Sequence, residues 1–307
     1  MKDLKPTCRL ALVQCAPVLF DKAKTTAKTV SLIAAAGENG AELIVFPELL
    51  IPGYPYGMNF GFKTGCRDEA GRKDWKRYYD NSLLVPGPET ELLGRAAAAA
   101  HAYVSVGVSE RDPLSGTLYN ANLLFGPDGA LLFCHRKLKP TGSERLIWGD
   151  ANRGFAPVAD TPWGPVGSLI CWESYMPLLR TALYSKGMTI CLAPNTNDYD
   201  AWQSTVRHIA IEGRCFYVNA DLYFTRAMYP ADLQYPEEIA ALPQIVCRGG
   251  SSVLDPFGRT VIEPFWDCED IRYADLDMEQ VPASRMEFDP CGHYSRPDVL
   301  DLRLRDM

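Results

Sequence analysis

Short apolar runs alternate along this chain with longer stretches in which apolar positions recur at helical spacing, a pattern that predicts an α/β protein. Cys8 to Gln14 reads as a first strand, and Asp21 to Ala36 as a helix that opens on a capping aspartate and stops at Gly37 to Gly40. Glu42 to Phe46 is a second strand, so the chain begins with a β-α-β unit whose strands are expected to be parallel. Residues 57 to 86, rich in glycine, aromatic and charged residues, show no clear period and read as a long loop of the kind that carries function. Glu89 to Ala102 is a plain helix and Tyr103 to Ser109 a strand, while Leu118 to Phe125 and Ala130 to Arg136 form a hairpin around an Asp-Gly turn. Strand, loop, helix and strand then recur: Val166 to Ile170, Pro177 to a stop at Gly187, Thr189 to Pro194, a helix from Ala201 to Arg214, and Phe216 to Asp221. A second hairpin turns at Asp255 to Gly258, and Ile271 to Leu276 is the last strand. No linker or low-complexity break interrupts this order, so residues 1–307 read as one domain, with 280–307 as its C-terminal tail.

Composition narrows the class of function. With 47% apolar residues in 307, a sizeable core is available. A net charge of -7 gives no electrostatic footprint for nucleic acid or for an anionic membrane, which leaves small-molecule chemistry as the expectation. The N-terminus has no apolar signal core and no run reaches the roughly 18 apolar residues that span a bilayer, so a soluble, cytoplasmic protein is expected. Ten cysteines without a Cys-x-x-Cys pair fit reduced thiols better than disulfides, and four scattered histidines show no metal-ligand spacing, so no metal site is expected.

Three positions stand apart on chemistry. Cys171 falls between a short apolar strand and a helix, where the positive end of a helix dipole favours the thiolate form that acts as nucleophile. The competing reading is a buried packing thiol, which is the fate of most cysteines. Glu48 lies just past the second strand in apolar, stiff surroundings (Leu49 to Tyr56) where a carboxylate needs a partner. Lys137 lies one residue past the first hairpin, and strand ends are where α/β sites collect. Its charged neighbours Arg136, Lys139 and Arg145 are read as a solvated face, and His135 and His293 as hydrogen-bonded structural residues.

Taken together, Pro47-Glu48, His135-Arg-Lys137-Leu, Glu144-Arg, Cys171-Trp-Glu and Arg214-Cys-Phe-Tyr-Val resemble the carbon-nitrogen hydrolase, or nitrilase, superfamily, with the motifs in the family's order. Trp172-Glu173 after the cysteine and Gly292-His-Tyr-Ser-Arg-Pro-Asp298 are similar to its nitrilase branch. The resemblance implies a four-layer α-β-β-α sandwich with Cys171 as nucleophile, Glu48 as base, Lys137 as electrostatic stabiliser and Glu144 as a second, placing glutamate. It also implies hydrolysis of an organic nitrile to the carboxylic acid and ammonia through a thioimidate and a thioester, with no cofactor. An amidase or N-carbamoyl amidohydrolase is the alternative, and a non-catalytic binding protein a more distant one. Tyr54, Trp172 and Tyr175 are candidate substrate-binding residues, and with Tyr56, Phe60 and Phe62 they suggest a pocket for an apolar or aromatic substituent. The segment Asn195 to Asp200 lacks the histidine that many members carry there, and the chain stops nine residues after Asp298. A homodimer or small homo-oligomer is therefore expected rather than a long filament.

Overall fold

Period-two alternation along the central strands sorts their side chains into two faces, and the faces decide the layers. A computed structural model describes residues 4–66, 68–197 and 199–304. Its elements are β1 (Thr7–Gln14), α1 (Lys22–Glu38), β2 (Leu43–Val45), α2 (Glu69–Asn81), α3 (Pro88–Ala100), β3 (Tyr103–Arg111), β4 (Leu118–Phe125), β5 (Leu131–Arg136), β6 (Val158–Thr161), β7 (Gly164–Ser168), α4 (Pro177–Ser185), β8 (Ile190–Asn195), α5 (Asp200–Gly213), β9 (Phe216–Asp221), β10 (Tyr223–Thr225), α6 (Pro236–Ala240), β11 (Ile245–Leu254), β12 (Thr260–Trp266), β13 (Asp270–Asp277) and α7 (Gln280–Ser284). One sheet runs β13-β1-β2-β3-β4-β5; the other runs β10-β11-β9-β8-β7-β6, with β12 paired to β11.

On β1, Leu10 and Leu12 join Leu43 and Val45 of β2 and meet Ile190, Leu192, Phe216 and Val218 of the other sheet, so this core lies between the sheets. The alternate residues Ala11, Val13 and Ile44 turn outward onto Ile33 and Ala36 of α1 and Leu93 and Ala97 of α3. Cys191, Ala193 and Tyr217 likewise face Leu179 and Leu183 of α4 and Val206 and Ile209 of α5. Three apolar layers between four structural ones make the α-β-β-α sandwich. The expected β-α-β opening is present, with β1 and β2 parallel and Asp21 accepting from the Lys24 N–H at 2.9 Å as the cap of α1. Both hairpins form, β4 with β5 and β11 with β12.

One expectation about a segment changes. The stretch 57–86 is not loop throughout, because it contains α2, whose core-facing residues are Gly71, Asp74 and Tyr78. In the tail, Phe288 lies under the Arg214 guanidinium at 5.6 Å, and Cys291 packs on the α4–α5 core. Among the described residues no helix is long and apolar enough to cross a membrane.

Candidate active site

Parallel β2 and β3, followed by antiparallel β4 and β5, bring the carboxyl ends of β2 and β5 to the same edge of one sheet. Glu48 follows the first of these ends and Lys137 the second. The carboxyl end of β7, in the other sheet, carries Cys171. Sharp backbone turns hold two of the three in place. Cys171 has φ 52° and Leu49, next to Glu48, has φ 48°, both left-handed values that non-glycine residues adopt only where the surroundings enforce them.

Glu48 is fully buried and has three donors: Asn120 Nδ2 at 2.6 Å and Lys137 Nζ at 2.9 Å on Oε1, and the Thr196 hydroxyl at 3.0 Å on Oε2. Asn120 also accepts the Lys137 backbone N–H on its own carbonyl at 2.7 Å, so one β4 residue holds Glu48 and Lys137 together. The Lys137 ammonium reaches on to Glu144, at 2.9 Å from Oε2 and 3.2 Å from Oε1. Glu144, in the 3-10 turn Gly142–Leu146, is fixed by the Tyr54 hydroxyl at 2.9 Å and the Thr141 N–H at 2.7 Å. One buried cation thus stands between two carboxylates.

Charge and burial oppose one another here. Burial would push the Lys137 ammonium down, but Glu48, Cys171 and Glu144 raise it well above the usual lysine value, so it stays charged. Burial lifts the Glu48 carboxyl above the usual range against the pull of Lys137. Burial, and then Glu48, push the Cys171 thiol up, opposed by Lys137 and by the Trp172 backbone N–H. This revises the helix-dipole expectation. Cys171 opens a short 3-10 turn, Cys171–Tyr175, and α4 starts only at Pro177, so the thiol meets a base and a cation rather than an α-helix N-terminus.

Beside the cluster lies a cavity of about 140 Å³ lined by Tyr54, Tyr56, Thr141, Glu144, Cys171, Trp172, Thr196, Asn197 and Tyr199. Tyr54 and Trp172 are therefore at the site. Tyr175 is not: its ring packs edge-on against Trp172 and Trp202, and it is half exposed away from this cavity. Phe60 and Phe62 line a separate pocket with Trp75. Thr196, Asn197 and Tyr199 come from the segment that lacks the histidine, while Asp198 of that segment lies outside the described residues. Asn120 was the residue hardest to anticipate, since nothing around it in sequence marks it.

The charged neighbours of Lys137 divide. Lys139 and Arg145 are exposed, as expected of a solvated face. Arg136 is buried instead, forked onto Glu110 at 2.7 and 2.6 Å and stacked over the Tyr119 ring at 3.7 Å. His135 is buried with both ring nitrogens engaged, whereas His293 is exposed.

The chain is similar in sequence and in fold to known proteins. The aliphatic nitrilase of Sinorhizobium fredii is 46% identical over 96% of this chain and 94% of its own length. A bifunctional nitrilase/nitrile hydratase of Lupinus angustifolius is 41% identical over 98% of this chain and 87% of its own. Nit3 of Saccharomyces cerevisiae, a member of branch 10 of the nitrilase superfamily, superposes with a TM-score of 0.74 over 96% of this chain and 99% of its own at 21% identity, a likeness of fold alone. Residues 9–286 match the carbon-nitrogen hydrolase family, and with the sandwich and its buried cluster this places the chain in that family, as a hydrolase acting on carbon–nitrogen bonds.

Proposed function

We propose that the protein hydrolyses an organic nitrile to the carboxylic acid and ammonia, with Cys171 as nucleophile, Glu48 as general base, Lys137 as electrostatic stabiliser and Glu144 as the group that places Lys137. The observation that carries this reading is the buried Lys137 ammonium shared by Glu48 and Glu144 beside the Cys171 cavity. Relatives named as nitrilases, at 41–46% identity over nearly the whole chain, support the choice of nitrile over amide. Glu48 takes the thiol proton as sulfur adds to the nitrile carbon, and the thioimidate nitrogen receives it. The ammonium has three N–H bonds; one to Glu48 and one shared between the two Glu144 oxygens leave a third for the nitrogen or oxygen on which charge develops. Water activated by Glu48 adds to the thioimidate, ammonia leaves to give the thioester, and a second water releases the acid and restores the thiol. If sulfur leaves the tetrahedral intermediate before ammonia does, the product is the amide.

The rings of Tyr54, Tyr56, Trp172 and Tyr199 support a substrate with an apolar substituent. Ammonia release from short aliphatic nitriles, benzonitrile, phenylacetonitrile and the matching amides tests the reaction. The nitriles are expected to turn over with higher kcat/KM than their amides, and faster amide hydrolysis would make the protein an amidase. A preference for the short aliphatic nitriles would remove the aromatic substituent and leave the reaction standing.

Three broader features belong to the same reading. Residues 1–307 act as one hydrolase domain with 280–307 as its tail. Ten thiols without a disulfide suit the reducing cytoplasm. Exposed Trp172, Tyr175 and Leu178, on the 3-10 turn and the start of α4, supply an apolar patch for a two-fold copy.

A further inference from the structure

One buried pair of titratable groups takes no part in the chemistry just described. Glu173, two residues past Cys171, and His135, two residues before Lys137, are both almost wholly buried. Glu173 Oε2 accepts the Ile170 N–H at 2.7 Å, immediately before the cysteine. Its Oε1 accepts the Leu138 N–H at 2.6 Å, immediately after the lysine. A single carboxylate therefore ties the strand end that carries Lys137 to the turn that carries Cys171, although the two belong to different sheets.

The histidine completes the tie. His135 Nε2 lies 2.8 Å from Glu173 Oε2, and Nδ1 lies 3.1 Å from the Gly154 carbonyl oxygen. A carbonyl only accepts, so Nδ1 carries a proton and donates. Two backbone N–H donors favour the ionised form of Glu173, which also only accepts, so Nε2 carries a proton as well. Both nitrogens donating makes the ring an imidazolium. From other elements, Asn122 on β4 is in register with His135, and the buried Cys191 thiol on β8 is pushed up by burial and by its neighbours, Glu173 among them, against the pull of Arg180 on α4, whose guanidinium donates to the Ser174 carbonyl at 2.6 Å.

We infer that Glu173 and His135 form a buried carboxylate–imidazolium clamp that holds Lys137 and Cys171 in register, acting as positioning residues for the reaction proposed above, on which the inference rests. Burial alone would push the imidazole down, but Glu173 raises it above the usual histidine value. A raised histidine contributes fully below the usual value and loses that contribution as pH rises through the raised one. The clamp therefore supplies an alkaline limb to the activity profile, below the pH at which Lys137 titrates.

Nitrogen NMR of the histidine rings in the unmutated protein tests the charge directly: both nitrogens of His135 are expected to be protonated at neutral pH, and a neutral tautomer would overturn the clamp. In Glu173→Gln the expectation is a kcat lower by about 10²-fold, the loss that a small misplacement of reacting groups produces, with KM little changed and the alkaline limb moved to lower pH. If Glu173→Gln does not fold, His135→Gln takes its place, with lowered kcat and the His135 limb gone. A merely structural pair would lower thermal stability yet leave kcat per folded site and the pH profile unchanged, and that result also overturns the inference. Persistent turnover in Cys171→Ala would instead sink the nucleophile assignment, while the NMR result on His135 would stand.

Discussion

At the scale of single residues, the buried triad Glu48–Lys137–Glu144 makes the two obvious substitutions unequal. In Glu48→Gln, Lys137 keeps Glu144 as a partner and the cluster loses a carboxylate that burial disfavours. The folded protein binds the Glu48 proton more tightly than the unfolded chain, so this carboxylate's contribution falls as pH rises through its raised value. Glu48→Gln is therefore expected to fold with thermal stability at pH 7 no lower than the parent's, and with kcat reduced by several orders of magnitude. Lys137→Met removes the cation and leaves two carboxylates facing each other. Breaking a buried pair costs about 3–5 kcal/mol, and the loss should grow as pH rises and Glu48 ionises. Thermal melts of both variants from pH 5 to 9 check this, and a Lys137→Met stability that is flat with pH would show the lysine not to be their shared partner. In the parent, kcat/KM is expected to rise from acid pH through the raised Glu48 value. Glu48 and Lys137 were legible in the sequence because each follows a strand end, whereas Glu144, in a 3-10 turn, was reached only through the family resemblance. Arg136 was not legible, since the Glu110 that neutralises it is 26 residues away and a run of charges looks the same whether solvated or paired.

At the scale of elements, most strands and long helices could be read from periodicity, and the exceptions share a cause. The inner face of α2 is Gly71, Asp74 and Tyr78, small and polar positions that leave no apolar stripe to recognise. A Cβ at Gly71 would come within 2.0 Å of the Phe60 carbonyl oxygen, so this helix docks backbone to backbone. The four-residue β6 and three-residue β10 are too short to show a period. A similar close approach supports the base: a Cβ at Gly107 on β3 would lie 2.3 Å from the Pro47 carbonyl oxygen and 2.7 Å from Glu48 Cα. Because backbone would have to give way, Gly107→Ala is expected to cost about 1–3 kcal/mol and to lower kcat by shifting Glu48. Unchanged melting and turnover in this variant would show that the end of β2 has room to move.

At the scale of the whole molecule, the last strand, β13, pairs with the first, β1, and forms one edge of the first sheet, so the N- and C-terminal ends of the strand order meet. Pairing of the two ends leads to the expectation of one cooperative thermal transition for the proposed single domain, whereas two separated transitions would divide it. The two-fold patch is tested by Leu178→Asp, which puts a charge on the most exposed apolar residue of α4 and is expected to shift sedimentation toward the monomer. The four layers followed from the family resemblance that the motif order carries, and the packing of one sheet on the other brings the loop of Thr196, Asn197 and Tyr199 to Cys171. Ten cysteines in one chain make the central claim a matter of counting adducts. The most direct measurement is the intact mass of the protein quenched during turnover of a slow nitrile, followed by peptide mapping. One adduct is expected, heavier than the free enzyme by the whole nitrile or by the corresponding acyl group, on the peptide containing Cys171 and absent from Cys171→Ala; an adduct on Cys66, Cys134 or Cys191 with Cys171 unmodified would contradict it.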